Sequence, residues 1–464
     1  MVDRIAMIEP QNDHLHIFSK FELPRLGSVL LATILKSIGK EAAAFFLKAE
    51  DVLSRDIQAD LVGISTITPT ATSSYRIADH FRARHIPVVM GGPHATYLPE
   101  ESLRHADFVI AGEGETGLPR LVRALNGDGD FADVPGLAWI ENGAVRRNPV
   151  AAPVENLDTL PFPDFSLLDS GRGRGVTGGV ARALLPIQTS RGCPYDCTFC
   201  SVTQMFGRHY RRRSTASVIE ELSLYDPARR RPFFYDDNFA VNRALTKELL
   251  REMIARRLDF KWTTQVRADI AKDPELLDLM VEAGCTALYI GFESVNPGAL
   301  QEMKKNLSVE EMQTAIRELR RRKIHIHGMF VLGFDSDTPA SVHSSVSFAL
   351  AEKIDSAQFL ILTPLPGTEL YRSLESEGRI LDHRWDTFDG HHVKFRPIGF
   401  SPWTLQKAQI DAHARFYSPV QVARRLARGR RVGFIIGMYA HALNRRWKHE
   451  EAEYLRSMRK SLAS

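Results

Sequence analysis

Three cysteines, Cys193, Cys197 and Cys200, fall inside the stretch 189–203, TSRGCPYDCTFCSVT, of a 464-residue chain that has only four. Thiolates crowded in this way converge on a shared soft-metal centre, and both zinc and iron-sulfur accept such ligands. A structural zinc site closes with four protein ligands, commonly in paired CxxC or Cys/His groups. Here the set stops at three. The remaining cysteine, Cys285, stands far away in AGCTALYIG and reads as a small buried thiol beside a strand. On a four-iron cube, three thiolates leave one iron open to a ligand that is not protein, the arrangement of a catalytic rather than a closed site.

The CxxxCxxC spacing of Cys193, Cys197 and Cys200, with the aromatic Phe199 before the last cysteine, resembles the signature of the radical S-adenosylmethionine (SAM) superfamily. The resemblance implies a [4Fe-4S] cluster on these cysteines and SAM on the open iron. It further implies reductive cleavage of a carbon-sulfur bond to a 5'-deoxyadenosyl radical that abstracts hydrogen from substrate, with flavodoxin or ferredoxin as electron donor. The implied scaffold is a partial (β/α)6 barrel of TIM type, whose site lies at the carboxyl ends of the strands.

Six β-rich apolar runs, 184–189, 233–236, 261–266, 287–292, 325–332 and 357–362, alternate with helical stretches and fit that scaffold. Their ends supply the SAM candidates. Asp236, Asp237 and Asn238 follow the second run and offer acceptors to the methionine ammonium. Gln265 and Arg267 close the third, where Arg267 suits the methionine carboxylate. Glu293 and Ser294 close the fourth and suit ribose hydroxyls, Gly328 belongs to the fifth, and Leu365 and Pro366 after the sixth suit the adenine.

Residues 1–148 show a second alternation. Runs 4–10, 61–67, 87–92 and 108–112 read as strands, and 26–39, 73–84 and 116–126 as helices, which together predict a doubly wound, Rossmann-like parallel sheet. Ligands of such sheets sit at the carboxyl ends of the strands. There stand Ser65, Thr66 and Thr68 in STITPT, Gly91, Gly92 and His94 in GGPH, and Gly112, Glu113 and Gly114 in GEGE. Their amides and hydroxyls suit a nucleotide tail or amide side arms, although Gly-rich turns equally serve the fold alone. The arrangement resembles the cobalamin-binding domain of one class of the superfamily, which includes anaerobic magnesium-protoporphyrin ester cyclase and hopanoid methylase. The DxHxxG motif that gives cobalt a histidine is absent. Asp13, His14 and His16 lie near its expected loop and read as loop polar residues, so the resemblance implies cobalamin without an axial protein ligand.

The boundaries that follow are 1–148 for the cobalamin domain, with a hairpin over 135–148, 149–180 for a Pro/Asp/Gly-rich linker, 181–375 for the barrel and 376–464 for a C-terminal helical, basic region. With 44% apolar and 25% charged residues and a net charge of +4, the chain has an ordinary globular composition, and nucleic acid is not expected as a partner. Few cysteines and no apolar run near ~20 residues point to the cytoplasm. Residues 415–464 carry twelve Lys or Arg against three Glu and enclose the apolar stretch 432–443, flanked by Arg430, Arg431, Arg445, Arg446, Trp447 and Lys448. That stretch either packs on the barrel with a solvated basic face or lies peripherally on the inner membrane surface. Arg211 to Arg213 and Arg229 to Arg231 read as solvated clusters, the first alternatively meeting an acidic substrate group. The leading functional expectation is cobalamin-dependent C-methylation of a hydrophobic small molecule, lipid or tetrapyrrole-like. The alternatives are radical cyclisation or carbon-carbon coupling without methyl transfer, and a non-catalytic iron-sulfur or zinc-stabilised binding protein.

Overall fold

A computed structural model of the chain describes residues 1–14, 23–169 and 184–460; His16 and residues 170–180 of the expected linker lie outside them. The first sheet contains β1 (Arg4–Pro10), β2 (Glu41–Leu47), β3 (Leu61–Ser65), β4 (Val88–Gly91), β5 (Phe108–Ile110), β6 (Leu137–Glu141), β7 (Ala144–Arg147) and β8 (Leu168–Asp169). Their order is β7-β6-β5-β4-β3-β1-β2-β8. Strands β5 to β8 through β3, β1 and β2 run parallel, and the β6-β7 hairpin closes one edge antiparallel. Asn142 and Gly143, both at positive φ, make the two-residue turn that a right-twisted hairpin favours. The order reverses between β1 and β3, which places the topological switch point of the sheet there.

Two departures from the sequence reading matter. Strand β2, EAAAFFL, has no counterpart among the expected strands, because three successive alanines carry no β signal; pairing with β1 over its whole length decides its state. Strand β8 lies in the segment read as linker and pairs with β2, so residues of that segment extend the first sheet.

The second sheet has six parallel strands in chain order, β9 (Leu184–Ile187), β12 (Arg231–Phe234), β13 (Trp262–Val266), β14 (Cys285–Glu293), β15 (His325–Leu332) and β16 (Ser356–Ile361). Helices such as Arg243–Ala255, Val309–Arg321 and Pro339–Ala351 cover their outside, started by side-chain caps from Asn242, Ser308 and Thr338. Sequential parallel strands with crossover helices make the expected partial barrel. Between β9 and β12 a short ribbon, β10 (Ser190–Arg191) antiparallel to β11 (Arg211–Arg212), closes the base of the cysteine loop. Cys285 is buried at the start of β14, as expected.

The C-terminal region does two things. Tyr371, Trp385 and Phe388 join the apolar core of the first sheet, so the chain after the barrel returns to the N-terminal domain. Helices Pro402–Phe416, Pro419–Ala427 and Arg431–Glu450 then pack on the barrel: the buried Tyr417 hydroxyl bonds both the amide and the carbonyl of Ala357 in β16. Gly433, Gly437, Ala440, Leu443 and Trp447 form the buried face of the last of these helices. No helix among the described residues is long and apolar enough to cross a membrane.

Candidate active site

The cysteine loop leaves β9 and is fixed at its base from two sides. On the barrel side, Asp236 at the end of β12 is fully buried and accepts from the Thr189 amide (3.1 Å), the Thr189 hydroxyl (3.0 Å) and the Ser190 hydroxyl. Burial pushes this carboxyl up to about 6, against the pull of the Ser190 and Thr189 hydrogen bonds. Asp236 therefore holds the base of the loop. Gly192 follows at positive φ, where a Cβ would lie 2.4 Å from the His209 carbonyl oxygen, so only glycine closes this turn.

On the other side the first domain grips the ribbon. Arg211 in β11 reaches Glu113 with both guanidinium nitrogens (2.6 and 3.0 Å) and donates to the Val154 carbonyl (2.7 Å). Arg191 in β10 lies 3.4 Å from Glu113 and 2.7 Å from Glu115. All four side chains are nearly excluded from water. Burial would raise the Glu113 carboxyl, but Arg211, Arg191 and the Val154 amide hold it below the ordinary range. Glu113 is thus an interdomain anchor, and Arg211 is no solvated charge. Arg213 is likewise buried and paired with Glu221, which corrects the reading of that cluster, while Arg229 stays exposed.

Within this frame the three thiols interact electrostatically with one another. Cys193 and Cys200 feel Asp237, and Cys197 feels Lys305, Arg267 and Glu293, so the ends of β12, β13 and β14 gather round the loop. Burial pushes all three thiols up, Cys200 to about 12. A bound metal displaces such protons outright. The loop is also tied to the far edge of the barrel: the Leu370 amide donates to the Thr198 carbonyl (3.1 Å), and Phe199 packs edge-on against Phe334.

The remaining SAM candidates fall into distinct environments. Arg267 stacks over Tyr195 of the cysteine loop (3.8 Å to the ring centroid); its buried Nε makes no hydrogen bond and has the Asp269 carboxylate 4.0 Å away. A buried guanidinium nitrogen that makes no hydrogen bond beside a metal-type loop fits a carboxylate brought closer than Asp269. Asp237 opens to solvent at the mouth, yet the protein packed behind it and the charge of Asp236 push its carboxyl up to about 7. Asn238 lines an open cleft of about 490 Å³ with Tyr195, Tyr210, Arg243 and Asp269. Gln265 is half-buried in β13. Glu293, at φ 62, sits where the β14 to β15 register slips; its carboxylate is 2.6 Å from the buried Lys305 ammonium, which also donates to the Gly291 carbonyl (2.6 Å). A left-handed non-glycine residue held by a buried ion pair is stored strain of the kind found at functional sites. Lys305 is absent from the sequence candidates; a KK pair in a helix-rich stretch reads as surface. Ser294 accepts from the Asn296 amide and shapes the following helix start. Leu365 and Pro366 lie in the loop after β16, where the Leu365 carbonyl accepts from Thr368. Gly328 is mid-strand in β15, where a Cβ would press on Phe330 and Ile354, so its smallness serves packing.

At the carboxyl edge of the first sheet most expected cobalamin residues serve the protein. His94 is buried, with Nε2 2.9 Å from the Tyr75 hydroxyl and Nδ1 3.3 Å from the Thr68 hydroxyl, and its ring meets Trp385 edge-on. Both nitrogens being used, His94 and Thr68 belong to a hydrogen-bonded network that continues through Glu101 to the Trp385 indole (2.6 Å). A Cβ at Gly92 would meet the Thr66 backbone and one at Gly112 the Val150 side chain, so both glycines admit neighbouring protein. Ser65, Gly91 and Gly114 stay half-buried at the edge. Uncommitted polarity does remain: Asn12 Oδ1, Arg25 Nη1, the Thr66 hydroxyl and the Tyr97 hydroxyl are buried without hydrogen-bond partners. Four orphaned polar atoms along one strand edge fit a ligand rich in amide groups.

Comparison with known proteins agrees with this geometry. Residues 187–349 match the family described as the radical SAM superfamily, and residues 17–122 match the B12-binding domain. An uncharacterized methyltransferase of Pyrococcus horikoshii is 31% identical over 410 residues, covering 85% of this chain and 88% of that protein. The bacteriochlorophyllide d C-12(1)-methyltransferase of Chlorobaculum tepidum is 30% identical over 383 residues, covering 81% and 79%. Among solved structures, the radical SAM methyltransferase TsrM of Kitasatospora setae, with cobalamin and a [4Fe-4S] cluster bound, superposes with a TM-score of 0.67 at 21% identity, covering 81% of this chain and 78% of that one.

Proposed function

We infer the function of this chain from its family: it belongs to the radical SAM superfamily, in the class that carries a B12-binding domain. The proposed reaction is cobalamin-dependent methylation of carbon in a hydrophobic small molecule, lipid or tetrapyrrole-like. One observation carries this reading. The cysteine loop is pinned to the barrel by Asp236 and to the B12-binding domain by Glu113 and Glu115, so the edges that would hold the two cofactors are fastened to one short segment.

In this reading Cys193, Cys197 and Cys200 hold the [4Fe-4S] cluster. Arg267 takes the SAM carboxylate, and Asp237, Asn238 and Gln265 present acceptors to its ammonium. Glu293, fixed by Lys305, faces the nucleoside part together with Leu365 and Pro366. The Thr66 and Tyr97 hydroxyls and Arg25 meet the polar arms of cobalamin. When bound, the cofactors supply the electron that cleaves SAM and the methyl group that is transferred. The chain's own share is to bind, orient and keep water out. A small one-electron donor, flavodoxin or ferredoxin, completes the cycle.

A second reading draws on the commitment of His94 and Glu113 to protein contacts: the first domain docks substrate or partner, and the radical chemistry is cyclisation or carbon-carbon coupling. The proposed lipid character of the substrate is supported by the helix Arg431–Glu450, which leaves Val432, Ile435 and Met438 exposed among Arg428, Arg431 and Arg445. An apolar stripe bordered by arginines suits an anionic bilayer surface. Co-sedimentation with anionic liposomes that is lost on Ile435→Glu supports that contact; unchanged binding removes it.

The deciding experiment is anaerobic reconstitution with SAM and reductant, followed by metabolite and lipid profiling of a strain lacking the protein. The methylation reading expects 5'-deoxyadenosine from the enzyme and, in the strain, loss of a compound heavier than its precursor by one CH2. A product lighter by hydrogens selects the second reading. No 5'-deoxyadenosine contradicts both.

A further inference from the structure

Away from the barrel mouth, the loop after β1 meets the C-terminal region in a cluster of imidazoles and carboxylates. His14 Nδ1 lies 3.0 Å from Glu451 Oε1, and His392 Nε2 lies 3.4 Å from Glu451 Oε2. The ligand-type atoms of these three side chains all lie within 4.8 Å of one another. We propose that His14, His392 and Glu451 bind a divalent transition cation of the zinc class, which fastens the C-terminal region to the B12-binding domain.

Spacing supports the assignment. A tetrahedral centre with bonds of about 2.0–2.1 Å sets its ligand atoms roughly 3.3 Å apart, and each imidazole nitrogen stands near that distance from one Glu451 oxygen, His14 from Oε1 and His392 from Oε2. The outer contacts support it further. The second nitrogen of each imidazole is held by its own carboxylate: His14 Nε2 by Asp386 (3.1 Å) and His392 Nδ1 by both oxygens of Asp389 (3.0 Å). A metal-ligating histidine characteristically gives its other N–H to a carboxylate, which fixes the tautomer and leaves the first nitrogen free for the metal. Two such pairs converge here.

Burial supplies an independent pointer. The His392 side chain is 0% exposed, and its Nε2, although directed at Glu451, makes no hydrogen bond. A buried nitrogen that faces a carboxylate oxygen at 3.4 Å without a hydrogen bond leaves room for an ion between them. Trp447 and Tyr454 wall it in, while His14, at 22% exposed, leaves an entry from solvent. Charge is compatible as well: beside three carboxylates, two neutral imidazoles with a dication carry the same net charge as two imidazoliums. Nitrogen and carboxylate donors favour zinc-like ions over magnesium or calcium.

The test uses protein whose cysteines are already occupied by iron and sulfide. It is dialysed against Zn2+, and metals are counted per chain alongside zinc K-edge absorption. The expected result is about one zinc with nitrogen and oxygen ligands only and unchanged iron. His14→Ala and Glu451→Gln should each cut retained zinc at least tenfold with iron content intact, and Asp389→Asn should weaken affinity by about 10–100-fold. The site is overturned if the iron-loaded protein retains no zinc, if His14→Ala and Glu451→Gln retain as much as the parent, or if the bound zinc shows sulfur ligands.

Discussion

The mouth of the barrel and the carboxyl edge of the first sheet end their parallel strands in much the same residues, glycines, carboxylates, hydroxyls and a histidine or arginine. They use them differently. At the mouth, the Arg267 Nε makes no hydrogen bond, Asp237 opens to solvent, and three thiols share one loop. At the first sheet, His94 spends both nitrogens, Glu113 is gripped by two arginines, Gly92 lets the Thr66 backbone approach and Gly112 the Val150 side chain. A polar strand end therefore marks either a ligand or a neighbouring domain, and burial partners decide which.

The sharpest way to break the comparison is at the interdomain grip. Replacing Arg191 by Met leaves Glu115 buried without its cation, and removal of one partner from such a pair costs about 3–5 kcal/mol. Urea unfolding should show that loss, with part recovered in the Arg191→Met/Glu115→Gln double variant; a change under ~0.5 kcal/mol, ordinary for a surface site, would dissolve the anchor. Next comes His94→Gln, which disturbs the bonds to Tyr75 and Thr68 and should lower stability by about 1–3 kcal/mol. Its cobalamin absorption and EPR spectra should match those of the parent; altered cobalt spectra would return His94 to the cofactor.

The mouth offers two smaller tests. Arg267→Lys loses the planar stack on Tyr195 and the forked donor, worth about 1 kcal/mol, so the KM for SAM should rise roughly five- to tenfold while iron content holds. An unchanged KM would make Arg267 structural. The smallest effect concerns pH. Because the Asp237 carboxyl is raised to about 7, it is mostly protonated at pH 6 and mostly charged at pH 8, and only the charged form attracts the SAM ammonium. SAM affinity should improve severalfold across that interval, and Asp237→Asn should flatten the profile; affinity that falls instead would contradict the assignment.

Much of the scaffold was readable because hydrophobic period and the cysteine spacing are local signals. Strands β1 and β15 match their expected bounds, and the Asn142-Gly143 turn sits where the sequence puts it. What escaped is non-local. Strand β2 is made by pairing, since alanines have no strand preference of their own. Lys305, Arg191, Arg211 and Glu115 look like surface charges until the fold brings opposite charges 2.6–3.4 Å away from them. His14 read as a loop residue because its partners, Asp386 and Glu451, stand hundreds of positions later. Three thiols in eight residues can specify a metal centre alone, whereas a single carboxylate after a strand cannot say what it will face.

If the cysteine loop and the strand ends around it activate SAM, the anaerobically reconstituted protein forms 5'-deoxyadenosine in a single turnover on addition of dithionite. About one 5'-deoxyadenosine is expected per loaded [4Fe-4S] cluster, and none from Cys197→Ala. SAM left intact by a protein that carries its full iron would contradict that activation.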